Sequence, residues 1–219
     1  MRVSNRRKDL AVSKRMEQVM SAVYAKFGWQ ELRPRNPELD KRGIDIVLQT
    51  GKGIIWADEK AATSYWNRDL KTYSCELICN RTKNGYGWFA KENNPYMLNT
   101  HMIFIWVKAL EKELIHISSI RFLIVDKKIL QKYFELVAGL LTTGEDTKAY
   151  LDKLQWDKEG KYIINNDLYL KKCNIYPEFP INVIFSESVL RRLADEYFEL
   201  SRFDVRNALR EAKNKESHH

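Results

Sequence analysis

The sequence has few cysteines and no long apolar segment, and both absences exclude whole classes of protein. Its three cysteines, Cys75, Cys79 and Cys173, form no CxxC pair and no cluster with histidine at zinc-ligand spacing, so reduced thiols are expected rather than a zinc site. The longest apolar runs, such as 102–107, are far too short to cross a bilayer. No apolar stretch of signal-peptide length follows the basic N-terminus. We therefore expect a cytoplasmic protein with no membrane partner.

Repeats and phosphate-loop signatures are also missing. The segment 84–89 contains two glycines, but it lacks the lysine–serine pair and the strand–turn–helix context of a phosphate-binding loop. The composition, 44% hydrophobic and 30% charged over 219 residues, suits one folded domain with a sizeable core. We expect a single domain over residues 1–219.

Positive charge is abundant and unevenly distributed. The net charge is +8 and the pI is near 9.3. Residues 1–42 hold 11 Lys or Arg against 5 Asp or Glu, a surplus of six positive charges. Such a surplus favours polyanions, because each neutralised phosphate releases condensed counterions. On charge alone, a solvated surface that only keeps the protein soluble is an equal alternative.

Hydrophobic periodicity predicts a chain with both helices and strands. Apolar residues at helical spacing predict a helix over 13–27, with Ser13 as its N-cap and Gly28 after its end. A short strand over 29–35 and two strands joined at 51–52 follow. The segment 67–80 fits either a strand or a helix.

The second half of the chain continues this alternation. Six consecutive apolar residues at 102–107 predict a strand at the centre of the sheet. Downstream, the pattern predicts a strand over 120–126, a helix over 127–141, a hairpin around 165–166, a strand over 181–185, a helix carrying Val189, Leu193, Tyr197 and Leu200, and a frayed tail from residue 210.

The turn at 51–52 decides which charges of the neighbouring strands face each other. If these two residues form the whole loop, Asp45 lies directly opposite Asp58, and Lys60 shares their face. Opposed Cβ atoms lie about 5 Å apart, so two facing carboxylates repel unless a cation lies near them. A three-residue loop is the alternative, and it would set Asp45 against Glu59.

Two interpretations of the charged trio Asp45, Asp58 and Lys60 follow. Two carboxylates beside water and phosphate oxygens suit Mg²⁺, for which Mn²⁺ can substitute, and Lys60 then lies within reach of an incoming water. In the other interpretation, Lys60 bridges the aspartates as a salt-bridge cluster on a solvated sheet face. The protein would then be a metal-free interaction protein.

The order Asp45, hairpin, then Asp58-Glu59-Lys60 resembles the signature of the PD-(D/E)XK nucleases, which include many restriction endonucleases. The resemblance covers about residues 13–107. It implies an α/β fold with a restriction-endonuclease-like core, a mixed β-sheet flanked by helices, over about 13–110, and a C-terminal α/β elaboration over about 111–210. Ile44 replaces the proline of the signature. Glu59 stands where an apolar residue is usual, which leaves open whether Asp58 or Glu59 is the metal ligand.

The resemblance also implies a function. The expected activity is that of a metal-dependent endodeoxyribonuclease from a restriction, phage or mobile-element system, with DNA as partner. The implied catalytic residues are Asp45, Asp58, Lys60 and Glu17, and the implied Mg²⁺ ligands are Asp45, Asp58 and Glu17, the last from the first helix. A catalytically inactive nucleic-acid-binding module of the same fold is the alternative. Paired cuts across a duplex would need two copies, so a homodimer also stays open.

Overall fold

In the part of the chain that the structure describes, two stacked β-sheets are flanked by five helices. The structure is a computed structural model that describes residues 6–34, 36, 38–39, 42–80, 85–90, 98–139, 145–174 and 179–216. The helices are α1 (Arg6–Lys26), α2 (Lys127–Ala138), α3 (Glu145–Lys153), α4 (Glu187–Leu193) and α5 (Arg202–Glu216), and a 3-10 turn spans Thr63–Tyr65. None of the helices in these ranges is both long and apolar enough to cross a membrane.

Eleven strands are present in the described ranges. They are β1 (Gln30–Leu32), β2 (Ile46–Thr50), β3 (Gly53–Ala61), β4 (Thr72–Asn80), β5 (Gly85–Tyr86), β6 (His101–Ala109), β7 (Ile117–Asp126), β8 (Lys161–Asn165), β9 (Leu168–Lys172), β10 (Ile181–Ser186) and β11 (Glu196–Ser201).

The larger sheet is mixed, as expected. Its six strands are ordered β1-β2-β3-β6-β7-β11. The pair β3–β6 is parallel, and every other neighbouring pair is antiparallel. Strand β6 lies between β3 and β7, and its residues 102–107 are all buried, which confirms the prediction of a strand inside the sheet.

The smaller sheet is antiparallel and has the order β5-β4-β10-β9-β8. Both sheets take strands from the two sides of residue 110: β7 and β11 complete the larger sheet, and β4 and β5 belong to the smaller one. The described chain is therefore a mixed α/β protein in which early and late segments alternate in space.

One face of the larger sheet is covered by α1 and α5. The apolar stripe of α1, including Met16, Val19 and Val23, packs on Ile46 and Ala57. Each fully buried side chain of this kind contributes about 1.5–3 kcal/mol of hydrophobic free energy. This face is therefore closed by helices, and the prediction of an amphipathic first helix is confirmed.

The other face of the larger sheet is covered chiefly by the smaller sheet. Met102 and Phe104 of β6 pack with Cys75 and Leu77 of β4 and with Phe185 of β10. Helices α2 and α4 extend this second core through Leu130, Phe134, Val189 and Leu190. The part of β3 around Asp58, which is 2% exposed, faces this second core rather than solvent.

Several local predictions are confirmed, and one cap is wrong. The segment 72–80 is a strand, 161–172 is a hairpin, and Gly28 has the positive φ of 74° that lets the chain leave α1. No disulfide joins the three cysteines. Helix α1 begins at Arg6, so Ser13 lies inside the helix and does not cap it.

The predicted helix from Val189 to Leu200 is wrong in its second half. Helix α4, capped by Ser186, ends at Leu193, and the following residues form β11, which pairs with the free edge of β7. The expected frayed tail is also wrong, because α5 continues to Glu216. Pairing with a long buried strand satisfies the backbone of β11 and overrides the helical spacing of its apolar residues.

Candidate active site

The β2–β3 hairpin has the register that the two-residue loop predicts. Thr50 pairs with Gly53 and Ile46 with Ala57, and Asp45, which directly precedes β2, comes near Asp58. The Asp45 amide donates to the Ala57 carbonyl at 3.0 Å, so Asp45 does not continue the regular ladder, and its carboxylate lies near Asp58 although the two residues are not paired. The three-residue loop is excluded, because it would set Asp45 against Glu59.

Asp58 and Lys60 point into the space between the two sheets. Asp58 is only 2% exposed, and its Oδ1 lies 2.6 Å from Lys60 Nζ. This contact is an ion pair without the alignment of a regular hydrogen bond, and Oδ1 accepts no aligned hydrogen bond from the described residues. The Lys60 ammonium also lies 5.4 Å from the centre of the Trp88 ring. The trio is therefore not a salt-bridge cluster on a solvated face.

The protonation of Asp58 reflects its burial. Burial raises the pKa of Asp58 to about 7, the positive charge of Lys60 opposes this rise, and the neighbouring carboxylate of Asp45 adds to it. Near neutral pH, Asp58 therefore carries a proton in part of the molecules. Any cation that binds here competes with that proton.

Glu59 points to the opposite face, where both of its oxygens already have partners. The Tyr24 hydroxyl donates to Oε1 at 2.6 Å, and Arg33 Nη1 donates to Oε2 at 2.8 Å. Burial raises the pKa of Tyr24, and the negative charge of Glu59 raises it further. Of the two acids left open by the sequence, Asp58 is the one with an oxygen free of aligned hydrogen bonds.

Asp45 contacts both the surroundings of Asp58 and those of Glu59. Its Oδ2 accepts from the Glu59 amide at 3.0 Å, and its carboxylate is close enough to Asp58 to raise the pKa of that residue. Asp45 also borders a cavity of about 580 Å³ beside α1, lined by Ser13, Met16, Glu17, Arg33, Pro34, Asn36, Ile44, Asp45, Glu59, Ala61 and Thr63.

Glu17 is exposed on α1 and borders this cavity, but Asp58 and Lys60 do not. The reason is the packing of α1 on the sheet face opposite to the one from which Asp58 projects. Within the described ranges, no three Asp, Glu, His or Cys side chains are close enough to hold a metal ion together. The structure thus brings together Asp45, Asp58 and Lys60, and it leaves Glu17 on the other side of Asp45.

A buried lysine next to Asp58 was not found by sequence reasoning. Lys127, at the start of α2, is buried, and its Nζ donates to Asn99 Oδ1 at 3.1 Å. Burial lowers the pKa of Lys127 to about 8, and the negative charge of Asp58 limits this decrease. Asn99 donates in turn to Met102 Sδ at 3.1 Å, and Met102 is the strand partner of Asp58. No motif surrounds Lys127, and basic residues at a helix start are usually solvated.

Comparison with protein-family models, with curated proteins and with solved structures finds no match to this chain. The similarity of residues 45–60 to the nuclease signature therefore depends on those residues and their geometry. It is the arrangement around Asp58 that any functional proposal has to explain.

The donors at this position fit a hard divalent cation. Asp45 and Asp58 supply two neighbouring carboxylates, and Asp58 is 2% exposed with the Lys60 ammonium as its charged partner. Mg²⁺ is typically bound by one or two carboxylates together with water and substrate phosphate oxygens. Two carboxylates are what the hairpin offers, so the fit requires that the substrate completes the coordination.

Proposed function

We propose that the protein is a metal-dependent endodeoxyribonuclease that hydrolyses phosphodiester bonds of DNA. The observation that carries this proposal is the proximity of the Asp45 and Asp58 carboxylates, with the Lys60 ammonium 2.6 Å from Asp58 Oδ1. Such a group does not stabilise an ordinary strand, because moving a carboxylate from water to the space between two sheets costs free energy. A binding or catalytic role would explain its presence. Under this proposal α1, β2, β3 and β6 form a restriction-endonuclease-like core.

Each residue of the trio has a defined part in the proposed reaction. Asp45 and Asp58 would hold Mg²⁺, or Mn²⁺ in its place, and the ion when bound polarises the scissile phosphate and lowers the pKa of a coordinated water. Lys60 would orient the attacking water and stabilise the negative charge that develops on the phosphate oxygens. Glu17 borders the same cavity as Asp45, and in this proposal it would contribute to the site from that side.

DNA is the substrate class that the charge distribution favours. The net charge of +8 and the six surplus positive charges of residues 1–42 suit a polyanion whose backbone passes the hairpin. The expected setting is the cytoplasm, within a restriction, phage or mobile-element system.

A cleavage assay tests the proposal. Supercoiled plasmid and linear duplex are incubated with protein in Mg²⁺ or EDTA, and the wild type is compared with Asp58→Asn and Lys60→Ala. The control is Lys132→Ala, which removes an exposed lysine of α2. We expect cutting that requires the metal, persists in the control and falls at least a hundredfold in both site variants. Metal-independent cutting, or full activity of Asp58→Asn, would refute the proposal.

The same assay addresses the number of active sites. Conversion of plasmid directly to the linear form, without accumulation of the nicked form, indicates two coordinated cuts and hence a homodimer. Accumulation of nicked plasmid indicates one active site per encounter.

A nucleic-acid-binding module without catalysis is the second candidate. The observation in its favour is the enclosure of Asp58, which is 2% exposed and already ion-paired with Lys60. For this candidate we expect DNA mobility shifts that weaken with salt, with no cutting in Mg²⁺ or Mn²⁺. A calorimetric titration with Mn²⁺ then gives no heat of binding that depends on Asp58.

A further inference from the structure

Trp56 is exposed, in contrast to every other tryptophan of the chain. Its exposed fraction is 41%, whereas the remaining five tryptophans are buried or half-buried. Trp56 lies on β3 two residues before Asp58, so both side chains project from the same face of the larger sheet. An amphipathic ring of this size is seldom left in solvent without a binding role.

Trp56 belongs to an apolar row that crosses three strands. Val47 pairs with Leu32 on one side and with Trp56 on the other, and directly paired residues share a face. Ile54 extends the row along β3. Leu32 is 65% exposed and Ile54 is 62% exposed. We call Leu32, Val47, Ile54 and Trp56 the apolar row; a contiguous exposed surface of this kind marks an interaction site.

We propose that the apolar row is a base-binding surface, on which Trp56 stacks against the nucleobase next to the phosphate that reaches Asp45 and Asp58. This inference depends on the proposed function, because the phosphate position is taken from it. It names the nucleobase as a further part of the substrate that the protein contacts, and Trp56 as the residue that contacts it.

The spacing along β3 supports this arrangement. Two residues of a strand span about 6.7 Å, which is twice the ~3.4 Å rise of stacked nucleotides along one strand. A base on Trp56 and a phosphate near Asp58 can therefore belong to neighbouring nucleotides of one strand. Lys60 lies on the same face beyond Asp58 and adds positive charge beside that phosphate.

The chemistry of the apolar row indicates whether the protein prefers paired or unpaired DNA. Aromatic stacking on a base requires an open base face, which a single strand, a frayed end or an unpaired base provides and an intact duplex does not. Flanking aliphatic side chains such as Leu32 and Ile54 can separate neighbouring bases. The net charge of +8 favours a polyanion over a second copy of this equally cationic chain. We therefore expect a preference for unpaired over fully paired DNA at this position.

A binding assay with matched variants and matched oligonucleotides tests the proposal. Fluorescence anisotropy is measured in EDTA, which prevents metal-dependent cutting, with a labelled single strand and with a series of the same strand in which one abasic nucleotide is moved stepwise. The variants are Trp56→Ala and Trp56→Phe, and the control is Phe203→Ala, which removes a 71% exposed aromatic side chain on α5. Cleavage of plasmid in Mg²⁺ is measured for all four proteins, and sedimentation gives their oligomeric state.

The expected result is a loss of affinity of about 5- to 150-fold in Trp56→Ala, the range of one base–aromatic stack. Trp56→Phe and the Phe203→Ala control should stay within about threefold of the wild type. One position of the abasic nucleotide should weaken the wild type by a similar factor and leave Trp56→Ala unaffected.

The remaining outcomes overturn the base-binding proposal, and they show whether the proposed nuclease function fails with it. If the wild type binds and cuts DNA and Trp56→Ala does so equally well, the base-binding surface is wrong and the nuclease stands. If Trp56→Ala instead dissociates a dimer without changing DNA affinity, the apolar row binds a second copy. If the wild type neither binds nor cuts DNA, both inferences fail together.

Discussion

Asp58 should make the metal-free protein less stable as the pH rises. Its pKa is about 7 in the folded protein against an ordinary value of 3.8, so between these values the folded state holds a proton that the unfolded state has lost. The stability therefore falls as the pH rises through this interval, and the loss is complete above the folded pKa. A difference of about three pH units corresponds to a loss of about 4 kcal/mol.

The variant Asp58→Asn isolates this effect, because asparagine has the shape of the protonated acid and cannot ionise. We expect it to exceed the wild type in stability by only about 1 kcal/mol near pH 4.5 and by about 2–4 kcal/mol at pH 8, the lower figure applying if the loss of the Asp58 charge leaves Lys60 without its counter-charge. The assay is urea denaturation in EDTA between pH 4.5 and 8. Measurements stop there because Lys127, with its pKa lowered to about 8, makes stability rise again at higher pH.

The control for this experiment is Glu113→Gln, which changes an exposed carboxylate in the loop between β6 and β7. It should follow the wild type at every pH. If the difference between wild type and Asp58→Asn is the same at pH 4.5 and pH 8, Asp58 ionises as it would in water. Its enclosure between the sheets would then be wrong, and with it the reasoning that a cation competes with a proton there.

Three further outcomes are expected. Mg²⁺ at a hundred times its dissociation constant should raise the stability of the wild type at pH 8 by about 2.7 kcal/mol and leave the stability of Asp58→Asn unchanged. Thermal unfolding over a series of Mg²⁺ concentrations measures this effect. Glu59→Gln leaves the half-buried Arg33 guanidinium with only the more distant Glu31 carboxylate, 3.6 Å away, so urea denaturation should show a loss of about 1–3 kcal/mol, while the cleavage rate of the folded protein stays within twofold. Gly87→Ala should prevent folding, because a Cβ there collides with a backbone carbonyl of β4, whereas Gly51→Ala meets no atom and should keep the native circular dichroism spectrum.

The hairpin register was predictable because its determinants are local. A two-residue turn containing Gly51 and the alternation along two adjacent strands fix which residues face each other, and the structure confirms this register from Thr50 opposite Gly53 to Ile46 opposite Ala57. The central strand β6 was predictable for a similar reason, since six consecutive apolar residues are compatible only with burial on both faces.

The environment of the pair was not predictable, since it depends on contacts between distant segments. Asp58 is buried because β4 and β10 pack over the end of β3, and nothing in residues 42–62 encodes that layer. The position of Lys127 follows from the same packing. In β11, a helical spacing of apolar residues was overridden by pairing with β7, which is again a long-range effect.

The pairing of β4 with β10 has a consequence for the newly made protein. Thr72 pairs with Ser186, more than a hundred residues later, so the layer that covers the acid pair cannot form until the chain has been synthesised past β10. Translation proceeds from the N-terminus, and contacts of such long sequence separation form late and slowly. On the ribosome, the β2–β3 hairpin is therefore made early but its two aspartates stay in water, with ordinary acidity and no fixed spacing. Assembly of the site is thus coupled to completion of the polypeptide.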